Sequence, residues 1–184
     1  MKVIGIRGNY GDDDSSGVYL MADSSLLKDN KPFFVPDFAE RFTFAPTIVV
    51  HVCRLGKNIA KKFAHRYYDK LTVGLAVEAE GLDGSLKNAF DGAAILGDFI
   101  DLAALPAEAI GYEVKVDGST CFTGSTAMLN TDVDGIIEYV SRYMTLKIGD
   151  YIFVSRPQCE GVMTINTHIT ATLDGKEVIN MKVK

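Results

Sequence analysis

Three groups of side chains in this sequence are of the types that hold cations or move protons. Asp12-Asp13-Asp14 follows a glycine-rich turn, Arg7-Gly8-Asn9-Tyr10-Gly11. Glu78 and Glu80 flank Ala79, and residues two apart on a strand share a face, so their carboxylates would point the same way. His51 stands in an apolar run, and His65 lies four residues before Asp69. Carboxylates brought together could hold a hard divalent cation on oxygen, with Asp83 or Asp12–Asp14 joining Glu78 and Glu80. Like charges repel unless something neutralises them. The plainer reading, two solvated carboxylates at a strand end, is therefore preferred. The acid triplet lacks the spacing of a calcium loop and reads as a solvated, flexible loop. A lone histidine without a catalytic partner reads as a satisfied core or interior-facing residue at 51, and as a surface residue at 65.

Composition narrows the field. A formal net charge of −5 and the lack of a Lys/Arg cluster argue against a nucleic-acid partner. No apolar run reaches the length of a membrane span, and the N-terminus lacks the pattern of a signal peptide. Cys53, Cys121 and Cys159 are too few and too far apart for a disulfide scaffold or a zinc motif, and Cys53 reads as a small buried hydrophobe. The expected setting is the reducing cytoplasm.

The elements that must position these groups centre on residues 42–80. Phe42–Thr47 leads into the β-branched run Ile48–Cys53, a buried strand closed by Leu55-Gly56-Lys57-Asn58. A short helix is expected over Ala60–Lys70, with Phe63 and Tyr67 on one face, and a returning strand over Leu71–Ala79. Before this stretch, Val3–Ile6 and Val18–Met21 read as strands, and Pro32–Pro36 as an edge or extended segment. After it, Pro106 marks a possible one-turn helix. Tyr112–Gly118 alternates and ends in Asp-Gly, a hairpin signal, with Ser119–Thr123 returning. Ile136, Ile137, Val140 and Tyr143 fall at helical spacing behind Asp132 or Asp134 as N-cap. Tyr151–Ser155 follows as a strand, and Ile165–Leu173 and Val178–Val183 pair around Asp174-Gly175. Many strands with few helices make one α+β domain over 1–184, built on a mixed sheet.

Taken together, Met1–Tyr10, Asp23–Phe38, Ile48–Gly74, Phe90–Ile100, Tyr112–Gly118 and Asp134–Phe153 resemble the fumarylacetoacetate hydrolase family in its single-domain bacterial form. The run from Tyr139 to Asp150 is very like that family's helix-to-strand signature. The resemblance implies a mixed sheet rolled into a barrel-like shape and a homodimer. It also implies Mg²⁺- or Mn²⁺-dependent hydrolysis, isomerisation, decarboxylation or tautomerisation of small oxo-acids. Set on the family's motifs, the metal-binding glutamates fall at Ala45 and Thr47 and the aspartate at Ala76. The lysine falls at Asn88, and Lys87 beside it would point to the opposite face of a strand. The arginine falls at Glu80, the carboxylate-gripping turn at Val154-Ser155-Arg156-Pro157, and the histidine base has no counterpart among Gly11–Asp14. The segments between Tyr10 and Tyr19 and between Glu80 and Phe90 are short.

The expectation is a family member without the metal-dependent chemistry: a pseudoenzyme with no metal cofactor, acting as a binding or structural subunit. Arg156, with Arg7 and Tyr10 as neighbours, could hold a small carboxylate, against its reading as an ordinary surface arginine. The alternative is an Mg²⁺ or Mn²⁺ enzyme with a site rebuilt on Glu78 and Glu80. Pairing with an active paralogue as a heterodimer is a third reading.

Overall fold

A computed structural model of the chain describes residues 1–158 and 161–184, so Cys159 lies outside the described residues. The strands are β1 (Val3–Tyr10), β2 (Asp13–Met21), β3 (Leu26–Leu27), β4 (Phe42–Val52), β5 (Tyr68–Ala79), β6 (Ala94–Leu96), β7 (Ile100–Asp101), β8 (Gly111–Val116), β9 (Ser119–Ser125), β10 (Tyr151–Phe153), β11 (Gly161–Val162), β12 (His168–Leu173) and β13 (Lys176–Lys182). Among the described residues two α-helices accompany them, α1 (Lys61–Ala64) and α2 (Val133–Tyr143). The larger sheet runs β2-β1-β10-β4-β5-β6-β3, with β11 also on β4 and β7 on β5; the smaller runs β13-β12-β8-β9. β1 pairs β10 and β3 pairs β6 in parallel, while the other ladders are antiparallel. The larger sheet is thus mixed, and it curls into a half-barrel.

Alternation along the strands gives the sheet two apolar faces. One packs Ile4, Phe44, Val50, Leu75 and Val77 against the smaller sheet and α2, whose Ile136, Ile137 and Val140 complete the main core. The other lines the inside of the curl with Val3, Tyr19, Val49, Ala76, Leu96 and Phe153. Each Val, Leu, Ile or Phe among them stabilises the fold by about 1.5–3 kcal/mol when fully buried. The curl is tight enough that Gly74 admits no β-carbon, which would stand 2.4 Å from Val49 Cγ2.

β4 is the spine, and it carries a proline in its middle. Ile48 and Phe42 accept backbone hydrogen bonds from Val154 and Met163, so the even residues of β4 turn their amides toward β10 and β11. Those two strands stop at Val49 and resume at Phe44, leaving a seam between them. Pro46 sits in that seam, where no ladder bond is required of its nitrogen.

The hairpin over β8 and β9 forms as expected, with Asp117 and Gly118 at positive φ, as do β12 and β13 around Asp174 and Gly175. Asp132 caps α2, its Oδ1 accepting from the Gly135 amide at 2.9 Å. Pro32–Pro36 is extended, joining the C-terminus through a parallel bridge from Phe33 to Val183. Asp150, with a fully buried side chain, accepts from the Lys2 and Lys147 amides at 2.7 and 2.8 Å and pairs with Lys2 Nζ, tying β1 to β10.

Four expectations on elements are corrected. The Ala60–Lys70 helix is only Lys61–Ala64, because Tyr68 and Lys70 pair across to Val52 and His51 and are drawn into β5. The loop expected at Asp12–Gly17 is mostly strand, β2 starting at Asp13 opposite Tyr10. The single turn near Pro106 comes earlier, at Leu102–Ala104. Cys53 is half-buried beyond the end of β4 rather than in the core.

Candidate functional site

The inner face of the curl at the Pro46 seam collects most of the residues singled out from the sequence. Across the β4–β5 ladder, Thr43 stands opposite Glu78, Ala45 opposite Ala76 and Thr47 opposite Gly74. Ala45, Thr47 and Ala76 therefore lie side by side on one face, and all three are buried, at 0%, 0% and 2% exposure. The Thr47 hydroxyl bonds that of Ser155 at 2.9 Å and accepts from the Ser155 amide at 3.2 Å. Side chains thus close the seam that backbone ladders leave open.

Among the described residues Glu78 is the one carboxylate here, and it is not solvated as expected: its side chain is 4% exposed. Arg156 Nη1 lies 3.1 Å from one oxygen and Lys87 Nζ pairs with the other. Burial of a carboxylate is tolerable because both cations neutralise it. Arg156, at 12% side-chain exposure, is correspondingly no surface residue. Lys87 reaches inward because Gly84–Asn88 forms a 3-10 turn, so the strand alternation invoked against it does not apply. Asn88 beside it is buried too.

Tyr19, which sequence reading passed over, fills the curl next to this cluster. Its ring belongs to the same apolar group as Ala76 and lies against Gly5. Arg7 stacks over it at 5.1 Å. Burial pushes the Tyr19 phenol above its ordinary pKa, Arg156 beside it acting in opposition. The one available signal was register: Gly5 opposite a tyrosine at the same level of a β-hairpin.

Four candidates lie away from this cluster. Tyr10 points to the other face, where its hydroxyl accepts from the Ser125 amide at 3.0 Å and its ring meets Phe122, so it is not a neighbour of Arg156. Glu80 lies past the end of β5 at the surface, 3.4 Å from Arg41, and does not join Glu78. His51 lies on the inner face at the far end, its Nδ1 bonded to Asp69 at 2.7 Å among Phe99 and Tyr151. His65 is exposed.

This donor set does not fit Mg²⁺ or Mn²⁺. A hard cation needs several oxygens at close range. Here two positions offer methyl groups, the hydroxyls of Thr47 and Ser155 bond each other, and Glu78 holds two cations of its own. Among the described residues, no three of His, Cys, Asp and Glu gather into an ion-holding group. What the cluster does offer is fixed charge: a guanidinium and a half-exposed ammonium around one buried carboxylate.

Comparison with known proteins gives one answer. The family described as "Fumarylacetoacetate (FAA) hydrolase C-terminal" matches residues 8–183. The rat mitochondrial oxaloacetate tautomerase FAHD1 is 24% identical over 177 residues, 91% of this chain and 79% of that protein. An uncharacterised protein of Pyrococcus abyssi is 23% identical over 201 residues, 99% of this chain and 89% of its own. Among solved structures, the fumarylpyruvate hydrolase of Pseudomonas aeruginosa, in complex with Mn²⁺ and pyruvate, superposes with a TM-score of 0.89 at 17% identity. The match covers 100% of this chain and 89% of that one. The 2-hydroxyhepta-2,4-diene-1,7-dioate isomerase of Mycobacterium marinum gives 0.90 at 21% identity, over 99% and 73%. These likenesses agree in fold.

Proposed function

The chain belongs to the fumarylacetoacetate hydrolase family, and on that premise we propose that it is a cytoplasmic, non-catalytic member, a binding or structural subunit without the metal-dependent reaction of active relatives. The observation that carries this reading is the state of the three positions set on the family's metal ligands. Ala45 and Ala76 face each other as methyl groups, and the Thr47 hydroxyl is held by Ser155. Among the described residues, none of these three positions supplies a carboxylate to replace the hydration a buried divalent ion would lose, a cost beyond the net stability of a domain. Glu78 offers no ready substitute, since its two oxygens already face Arg156 and Lys87.

An external carboxylate at Arg156 would have to displace Glu78, so anion binding is a weaker use of the same cluster. The subunit assembles as a homodimer, or with an active relative as a heterodimer; light scattering of the purified chain, alone and mixed with that relative, separates the two.

The test is a titration of the full chain with Mn²⁺, followed by calorimetry and electron paramagnetic resonance, alongside turnover assays with oxaloacetate and an acylpyruvate. No saturable Mn²⁺ binding and no metal-dependent turnover is the expected result. Stoichiometric binding with turnover, lost in Glu78→Gln, would overturn the proposal in favour of a rebuilt site. Stabilisation by an oxo-acid without metal, lost in Arg156→Ala, would make the chain an anion-binding module.

A further inference from the structure

On the opposite side of β5 from the curl, a cleft of about 900 Å³ opens at the surface. It lies between the start of β5, the 102–110 segment, the 126–129 turn and the first turn of α2. Leu71, Leu102, Leu105, Ile110 and Leu129 supply the apolar part of its walls, which is the larger part beside a substantial polar one. The Ile110 and Thr126 segments are bound to each other, the Thr126 amide donating to the Ile110 carbonyl at 3.0 Å and the Ile110 amide to Thr126 Oγ1 at 2.9 Å. The two walls are therefore fixed relative to each other. Volume, apolar lining and a few convergent polar groups are the attributes of a small-molecule site.

The polar groups decide what kind of molecule. Among the described residues lining the cleft, the charged ones are Glu108, Asp132 and Asp134, with no Lys, Arg or His among them. Asp132 is engaged, capping Gly135 and pairing with Lys61 at 3.0 Å. Asp134 accepts from the Tyr68 hydroxyl at 3.0 Å through one oxygen, which fixes the carboxylate and leaves the other oxygen for a second donor. Burial, with Asp134 next, pushes the Tyr68 phenol above its ordinary pKa, so it stays a neutral donor. A carboxylate oriented by a hydrogen bond beside an apolar wall complements a cationic head on an apolar body.

We infer that this cleft binds a small organic amine, its apolar body against Leu71, Leu105 and Ile110 and its ammonium on Asp134, with Glu108 at the rim. The site is separate from the Glu78 cluster, and its outcome does not depend on the reading of that cluster.

Three probes of similar size separate the possibilities: 2-phenylethylamine, 2-phenylethanol and 3-phenylpropionate, each titrated into the full chain by calorimetry and followed by the shift in Tm. The amine is expected to bind saturably and raise Tm, with the alcohol and the carboxylate much weaker. Asp134→Asn should weaken the amine by about tenfold, as expected for a lost charge-assisted hydrogen bond. Ala107→Trp, on the exposed wall, should block binding with the Tyr68–Asp134 pair intact, and it carries the test if Asp134→Asn fails to fold. Equal binding of amine and alcohol, indifference to both variants, or no saturable binding at millimolar amine would overturn the inference.

Discussion

Tyr19 occupies the space that a side chain at Gly5 would need. The two residues are partners in the β1–β2 ladder, and a β-carbon on residue 5 would stand 2.0 Å from Cζ of the ring. Gly5→Ala should therefore destabilise the fold by about 1–3 kcal/mol, the usual cost of overpacking. Placed in a Tyr19→Leu background, the same change should cost clearly less. Urea unfolding of the four proteins in the cycle measures the coupling; additive costs would mean that the ring yields without strain.

The buried ion cluster should be asymmetric. Glu78→Gln removes the buried carboxylate that faces Arg156 at 3.1 Å, and breaking such a pair costs about 3–5 kcal/mol. Lys87→Ala removes a partner whose side chain is 44% exposed, so its effect should stay within about 1 kcal/mol. Comparable losses for the two variants, by chemical denaturation, would show that Arg156 is not the partner that matters.

Asp150→Ala should cost about 2–4 kcal/mol, since two amides and the Lys2 ammonium lose a fully buried acceptor. Hydrogen exchange should localise the damage to β1 and β10, their amides exchanging faster than those of β12 and β13.

Alkaline pH should unfold the protein. Tyr19, Tyr68 and Tyr112 all have phenols raised above the usual 10.0, chiefly by burial. The unfolded chain releases these protons near pH 10 while the folded chain keeps them, so the contribution is intact below that pH and is lost as pH rises above it. Tm should fall steeply past about pH 10, and Tyr112→Phe should flatten the fall. A flat profile to pH 11.5 would contradict it.

The sequence made most of the framework readable through local rules. Asp117-Gly118 and Asp174-Gly175 announced their hairpins because a tight turn demands positive φ at both positions. The spacing of Ile136, Ile137 and Val140 behind Asp132 marked α2. What local rules missed was decided by distant partners. Tyr68-Asp69-Lys70 has helical neighbours before it, yet the pull of Val52 and His51 extends β5 through it. Strand alternation does not apply at Lys87, because the chain makes a 3-10 turn there. Glu78 read as solvated because Arg156, which neutralises it, lies 78 positions away along the chain and meets it only after the sheet has curled. Residues 45, 47 and 76 lie side by side on β4 and β5, and what packs beside them comes from Tyr19, which carries no motif.

The seam at Pro46 has a consequence for descent. The β4–β5 ladder runs unbroken past it from Phe42 to His51, so backbone bonds hold the register of β4 against β5 without help from the side chains at 45, 47 and 155. Side chains there can be exchanged one at a time, each intermediate keeping the same architecture. A scaffold with such a gap can change what it carries and still be inherited whole.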